Sequence, residues 1–162
     1  MKYKILLIFY CSLSSIASAQ KIINIEDDNL GIERNVYYKD VNNILNNFEG
    51  TWTLNNADTI FTIKLIKVTK FYSPENDNYT DYIIGEYKYS LANHTIINTL
   101  NTLVNPPKSL FDNGIDGNLI LFKPNDLNQF KTVLFVQVTD PQRKYIEATG
   151  RLTLDNRTPN IN

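Results

Sequence analysis

Along most of this chain apolar residues recur at every second position, and clusters of Asn, Asp, Gly and Pro interrupt them at intervals. A period of two marks strands with one buried face. The pattern predicts strands over residues 51–55, 58–71, 79–90, 94–103, 118–123, 130–138 and 144–154. In the second of these, Phe61, Ile63 and Leu65 share one face while Ile66 and Val68 share the other. That change of phase predicts a bulge. Gly85, inside the third, predicts a kink. Residues 118–123 and 130–138 are apolar on both faces, as buried strands are. The last strand alternates cleanly, with Ile146, Ala148, Gly150, Leu152 and Leu154 facing one way. Residues 105–117 carry two prolines and two glycines and are excluded from a ladder, which makes the 104–117 segment a loop and a candidate lid.

One stretch ahead of the strands has a different period. In "KDVNNILNNF" (39–48), Val41, Ile44, Leu45 and Phe48 stand at i, i+3, i+4 and i+7, which is one face of a helix. Asp40 suits its N-cap and Gly50 its end. A helix this short must dock to be stable. The expected architecture is therefore all-β: an antiparallel meander forming a barrel or a sandwich of about seven strands, a number that can leave a barrel incomplete at its seam, with one short N-terminal helix. The turn-like end, "DNRTPNIN", supplies no closing strand. Either the polar arm at residues 20–38 covers the seam, or a closing strand is missing.

The first nineteen residues change the picture of where the chain works. Lys2 and Lys4 precede an apolar run, and Ala17-Ser18-Ala19 is a small-residue cleavage site, so residues 1–19 read as a signal peptide. Cys11 follows the apolar run as a lipoprotein cysteine would, but Tyr10 is bulky where lipid attachment wants a small residue. The expectation is a secreted or periplasmic protein with cleavage after Ala19, an arm at 20–38 and a single β-barrel-like domain at 39–162. With the leader gone, no integral membrane segment is expected.

Charge and candidate chemistry narrow the function classes. The leader removes two lysines and no acids, and the remainder carries 14 basic and 17 acidic residues. A mildly acidic chain lacks the basic face that nucleic acid demands. The sole cysteine leaves with the leader, and His94 is the single histidine, so zinc and copper lack their usual ligands and no metal or other cofactor is expected. "EDDN" (26–29) lacks calcium-loop spacing. No G-x-S-x-G elbow accompanies His94, no acid pair stands out and no glycine loop cradles phosphate. No catalytic residue is assigned. Tyr82, Tyr87 and Tyr89 lie in one long hairpin and are the candidate ligand-binding residues, since tyrosine rings can stack on sugars or peptides. Plain β-propensity and cross-strand packing explain the same tyrosines.

Gly50-Thr51-Trp52, just after the short helix, resembles the lipocalin signature. The resemblance implies that Trp52 floors a barrel, with Gly50 allowing the tight turn into its first strand. Thr80-Asp81-Tyr82 matches another lipocalin motif in type but falls in too early a strand. Arg151, where a packing arginine would sit, faces opposite to Leu152 and Leu154. Most of the chain is similar to a family of uncharacterised secreted proteins of flavobacteria and related Bacteroidetes. The likeness is carried by "YYKDVNNILNNFEGTW", "TIFTIKLIKV", "IIGEYKY", "GNLILF" and "DPQRKYIEATGRLTLDN". That resemblance implies a further strand or two beyond this chain's end and no mechanism. The functional expectation is non-catalytic binding of a small apolar ligand or peptide in the barrel. The alternative is a structural module, with a filled barrel, that contacts an envelope protein.

Overall fold

The computed structural model describes residues 19–27, 32–109, 112–124, 130–143 and 146–154. Among the described residues nine strands form one sheet: β1 (Lys21–Asn24), β2 (Val36–Lys39), β3 (Gly50–Asn56), β4 (Thr59–Ser73), β5 (Asn78–Leu91), β6 (His94–Asn98), β7 (Ile115–Pro124), β8 (Phe130–Thr139) and β9 (Glu147–Thr153). The seven expected strands are all present, with shifted ends; β7 begins at Ile115, so Ile115, Asp116 and Gly117, expected in a loop, pair with β5 instead. Two more come from the arm. The sheet does not close into a barrel, and it is mixed, because β1 pairs with β2 and β2 with β5 in parallel. The expected antiparallel barrel is thus corrected to an open mixed sheet.

The spine is β5. β4 runs along one of its edges, from Thr59 opposite Leu91 to Ser73 opposite Asn78. Three strands share the other edge in turn: β2 at Tyr79 and Thr80, β7 at Ile83 to Gly85, and β6 at Lys88 to Leu91. Paired along both edges, β5 is also covered on both faces here, since the adjacent Ile83 and Ile84 point to opposite sides and neither is exposed. Gly85 owes its identity to a close approach. A Cβ there would lie 2.5 Å from the Lys64 carbonyl oxygen and 2.6 Å from Leu65 Cδ2.

The expected bulge is present but lies farther along. The β4–β5 ladder stays in register through Val68 and slips before Phe71, where Lys70 adopts a left-handed φ of 54°. Ile66 and Val68 need no slip, because both faces of β4 are partly covered there. The expected helix over 39–48 shrinks to a 3-10 turn at Leu45–Phe48. Asn43, at φ 55°, breaks the helical path ahead of it. Asp40 nevertheless caps the turn: Ile44 N–H donates to Oδ1 at 2.8 Å and Leu45 N–H to Oδ2 at 2.9 Å. Leu45 and Phe48 bury fully, whereas Val41 stays half exposed.

The core lies on one face of the sheet. The arm supplies Ile25, Val36 and Tyr38, and the 3-10 turn Leu45 and Phe48. Ile63, Leu65, Ile83, Tyr87, Ile115, Ile120, Leu134 and Val136 come from the strands. Leu152 and Leu154 pack on its margin, as the alternation of the last strand requires.

A buried polar network joins arm to sheet. Asp81 of β5 accepts from the Tyr37 hydroxyl at 2.6 Å, from Asp40 N–H at 3.0 Å and from Lys70 N–H at 2.8 Å. Burial, together with the Asp81 hydrogen bond and charge, raises the Tyr37 pKa above its ordinary value. Asp40 also pairs with Lys67 at 2.7 Å, and the same ammonium donates to Asn46 at 2.7 Å. Asp81→Ala takes the acceptor from three donors, one buried and two part-buried, and is expected to cost about 2–4 kcal/mol in urea unfolding. Gly85→Ala is expected to cost about 1–3 kcal/mol in the same measurement, through overpacking.

Candidate functional site

Among the described strands, β3 pairs only with β4 and β9 only with β8, so each keeps one free edge. The strand period sets what these edges carry. Gly50, Trp52 and Leu54 of β3 stand opposite Leu65, Ile63 and Phe61 of β4, on the core side. Gly150 and Leu152 of β9 stand opposite Val136 and Leu134. The two strands flank a cleft of about 370 Å³ lined by Phe48, Ile63 and Leu65 at its base and by residues 52, 54 and 151–154 at its sides. Trp52 is 47 % exposed and Leu54 63 % exposed, although both face the core side. The two side chains line one cleft with Leu152 and Leu154, and it is a contiguous apolar patch of this kind that marks a candidate contact site.

Gly50 holds φ at 128°, so its glycine identity is a backbone requirement at the start of β3. Trp52 is not a floor. Its indole N–H donates to the Phe48 carbonyl at 3.0 Å, which pins the ring to the end of the 3-10 turn at the rim of the cleft. Arg151 does not pack on Trp52; its guanidinium lies over the Phe135 ring, 5.3 Å from the centroid.

The three candidate tyrosines do not form one row. Alternation along β5 places Tyr82 on the face opposite to Tyr87 and Tyr89. Tyr82 lines a groove of about 340 Å³ with Asp116, Asn118, Gln137 and Thr149. Its ring meets Phe71 edge-on at 6.1 Å. Tyr87 is buried, packs on Phe61 at 5.7 Å and donates its hydroxyl to the Thr139 carbonyl at 3.3 Å. Tyr89 stands opposite Phe61 and Ile97, half-buried. Sequence reasoning chose aromatic residues and missed Leu54, Leu152 and Leu154. The signal was present as apolar positions on two strands with nothing on their far sides.

A second pocket, of about 490 Å³, is polar and acidic, with Glu86, Asp112, Asp140 and Glu147 among its lining. The buried Glu86 uses Oε1 to accept from Gly114 N–H at 3.1 Å. Among the described residues no group of three or more His, Cys, Asp or Glu is placed to hold a metal. His94 is exposed at the start of β6. Of "EDDN", Glu26 and Asp27 lie within the described residues, and Glu26 accepts from the Asn24 and Asn42 side chains. The described part of the 104–117 segment lines the acidic pocket and a site beside Phe71, and none of it borders the seam, so it is not a lid there. No helix among the described residues is long and apolar enough to cross a membrane, which says nothing of strands.

Fold and cleft together define a mainly β domain built on one open sheet, with an apolar cleft at its seam. The chain belongs to a family of unknown function, DUF6705, whose model matches residues 1–158. No curated protein and no solved structure matches it.

Burial and the nearby Glu147 push the Asp116 carboxyl up from 3.8 to about 6, and burial with the Asp116 charge pushes Tyr82 up to about 12. Below pH 3.8 Asp116 is protonated in both folded and unfolded chains. As pH rises from 3.8 to about 6 the unfolded chain releases its proton first, so stability falls across that window. Asp116→Asn removes the effect. The variant is expected to gain on the parent by about 1–2 kcal/mol between pH 4 and 7 in urea melts, after allowance for solvent screening.

Proposed function

We propose that this protein is a non-catalytic binding module that takes an apolar ligand, either a small molecule or a peptide segment, in the seam cleft between β3 and β9. The observation that carries the reading is the pair of exposed core-side residues, Trp52 and Leu54, facing Leu152 and Leu154 across an apolar opening. The interior that a barrel would offer is occupied by Leu45, Leu65, Ile83 and Leu134, all at or near zero exposure. The ligand therefore belongs at the seam rather than inside. We place the activity outside the cytoplasm, on the strength of the leader pattern in residues 1–19.

The packed interior also favours a second reading, in which the module contacts another envelope protein through its open edge. The two readings share a location and differ in the ligand.

Trp52 is the only tryptophan, so its emission reports on the cleft alone. Titration with a fluorescent apolar probe such as anilinonaphthalene sulfonate is expected to quench or blue-shift that emission. Leu54→Asp, at an exposed position, should weaken probe binding at least tenfold and leave the melting temperature nearly unchanged. An unaltered Trp52 spectrum at saturating probe, or equal binding by the variant, would remove the cleft as the site.

A further inference from the structure

We propose that the occupant of the seam is an extended peptide strand that alternates apolar with acidic or hydroxyl residues and pairs with the free edges of both β3 and β9. The proposal rests on the reading of the seam as the binding site and names the chemistry of its ligand.

Three observations select a strand over a small apolar molecule. The first is the edges themselves. Among the described residues β3 and β9 each leave one edge unpaired and both line the same cleft, so an inserted strand could answer both rows of N–H and C=O groups at once. The second is the absence of protection on β3. Exposed edges are ordinarily blunted by charges, proline, bulges or a cover. The β3 sequence, "GTWTLNN", has no charge and no proline, and its register with β4 is unbroken from Gly50 to Asn56. By contrast, β1 carries Lys21, which is ion-paired to Glu33 at 2.5 Å.

The third observation is the division of the two faces. On the core side, an incoming strand meets Phe48, Ile63 and Leu65 below and Trp52, Leu54, Leu152 and Leu154 beside it. Every second residue of the peptide must then be apolar, and β-branched or aromatic side chains fit best. On the outer side, Arg151 of β9 borders the seam and Lys64 stands one strand back from it, opposite Thr51; both are exposed. They set positive charge against the outward residues of the peptide, which favours glutamate or aspartate there, with threonine beside Thr51 and Thr53. Proline is excluded from the middle of the peptide, because a strand paired on both sides needs its N–H groups.

The test uses an eight-residue synthetic peptide with valine at alternate positions and threonine or glutamate between them. Its partners are the same peptide N-methylated at alternate residues, a form with lysine for glutamate, and the apolar probe used above. Binding is read from Trp52 emission, and amide hydrogen exchange maps the protected edges. The parent peptide is expected to protect amides of both β3 and β9. N-methylation should weaken binding at least tenfold and the lysine form about three- to tenfold, the latter difference shrinking at high salt.

Equal binding of the parent and N-methylated peptides would overturn strand pairing, and the apolar cleft would stand if the probe still binds. Protection of one edge alone would overturn insertion between the two. Failure of peptide and probe together would remove the cleft reading itself. If sedimentation shows a dimer whose β3 amides are already protected and which the peptide does not dissociate, the occupant is a second copy of the chain and the proposal fails.

Discussion

A single buried carboxylate governs how this sheet is assembled. Asp81 lies on the central strand, 1 % exposed, and its oxygens gather a hydroxyl from β2, a backbone N–H from the loop after β2 and another from the bulge in β4. A charge so far from water is tolerable only when donors surround it. The arm must therefore lie along β5, and the bulge must turn the Lys70 N–H inward. Asp40 repeats the principle one residue beyond β2, where it caps the 3-10 turn and holds Lys67, a side chain only 9 % exposed. The two acids bind the arm to the β4–β5 hairpin through polar contacts that a hydrophobic core could not orient.

That arrangement explains why the sheet stays open. With three strands sharing one edge of β5, the meander from β3 to β9 is divided, and its two ends are left facing across the seam. The arm and the 3-10 turn fill the core side of the sheet with Tyr38, Leu45 and Phe48. A hollow barrel would need that volume empty. Filling it stabilises the fold and leaves Trp52 and Leu54 in water at the rim.

The strands from β3 onward were legible because alternation and turn residues are local signals. Gly50 and Gly85 were legible for the same reason, although for Gly85 the cause is a backbone contact from β4 rather than a kink. The arm was not legible. Its two strands are four residues each, and their partners lie in parallel and far along the chain, so no local period announces them. The helix failed because Asn43 adopts a left-handed conformation that an apolar period of 3.6 does not foresee. The tyrosines do not share one face, because of their spacing. An odd interval between Tyr82 and Tyr87 puts them on opposite faces, a fact readable from the sequence once β5 is known to run unbroken. Asp81 looked like a misplaced family motif, and its role depends on three donors brought together only by the fold. The seam residues were visible as apolar positions; that no strand pairs beyond them is a property of topology.

The distance between Tyr37 and Asp81 along the chain has a further consequence. They are 44 residues apart, whereas β4 and β5 are joined by only residues 74–77. Closing the short hairpin costs little chain entropy, and closing the arm onto it costs more. The docking surface of the arm is completed only when β5 has paired with β4. The arm is thus obliged to wait for the hairpin wherever the chain folds, with Ile25, Val36 and Tyr38 uncovered until it closes.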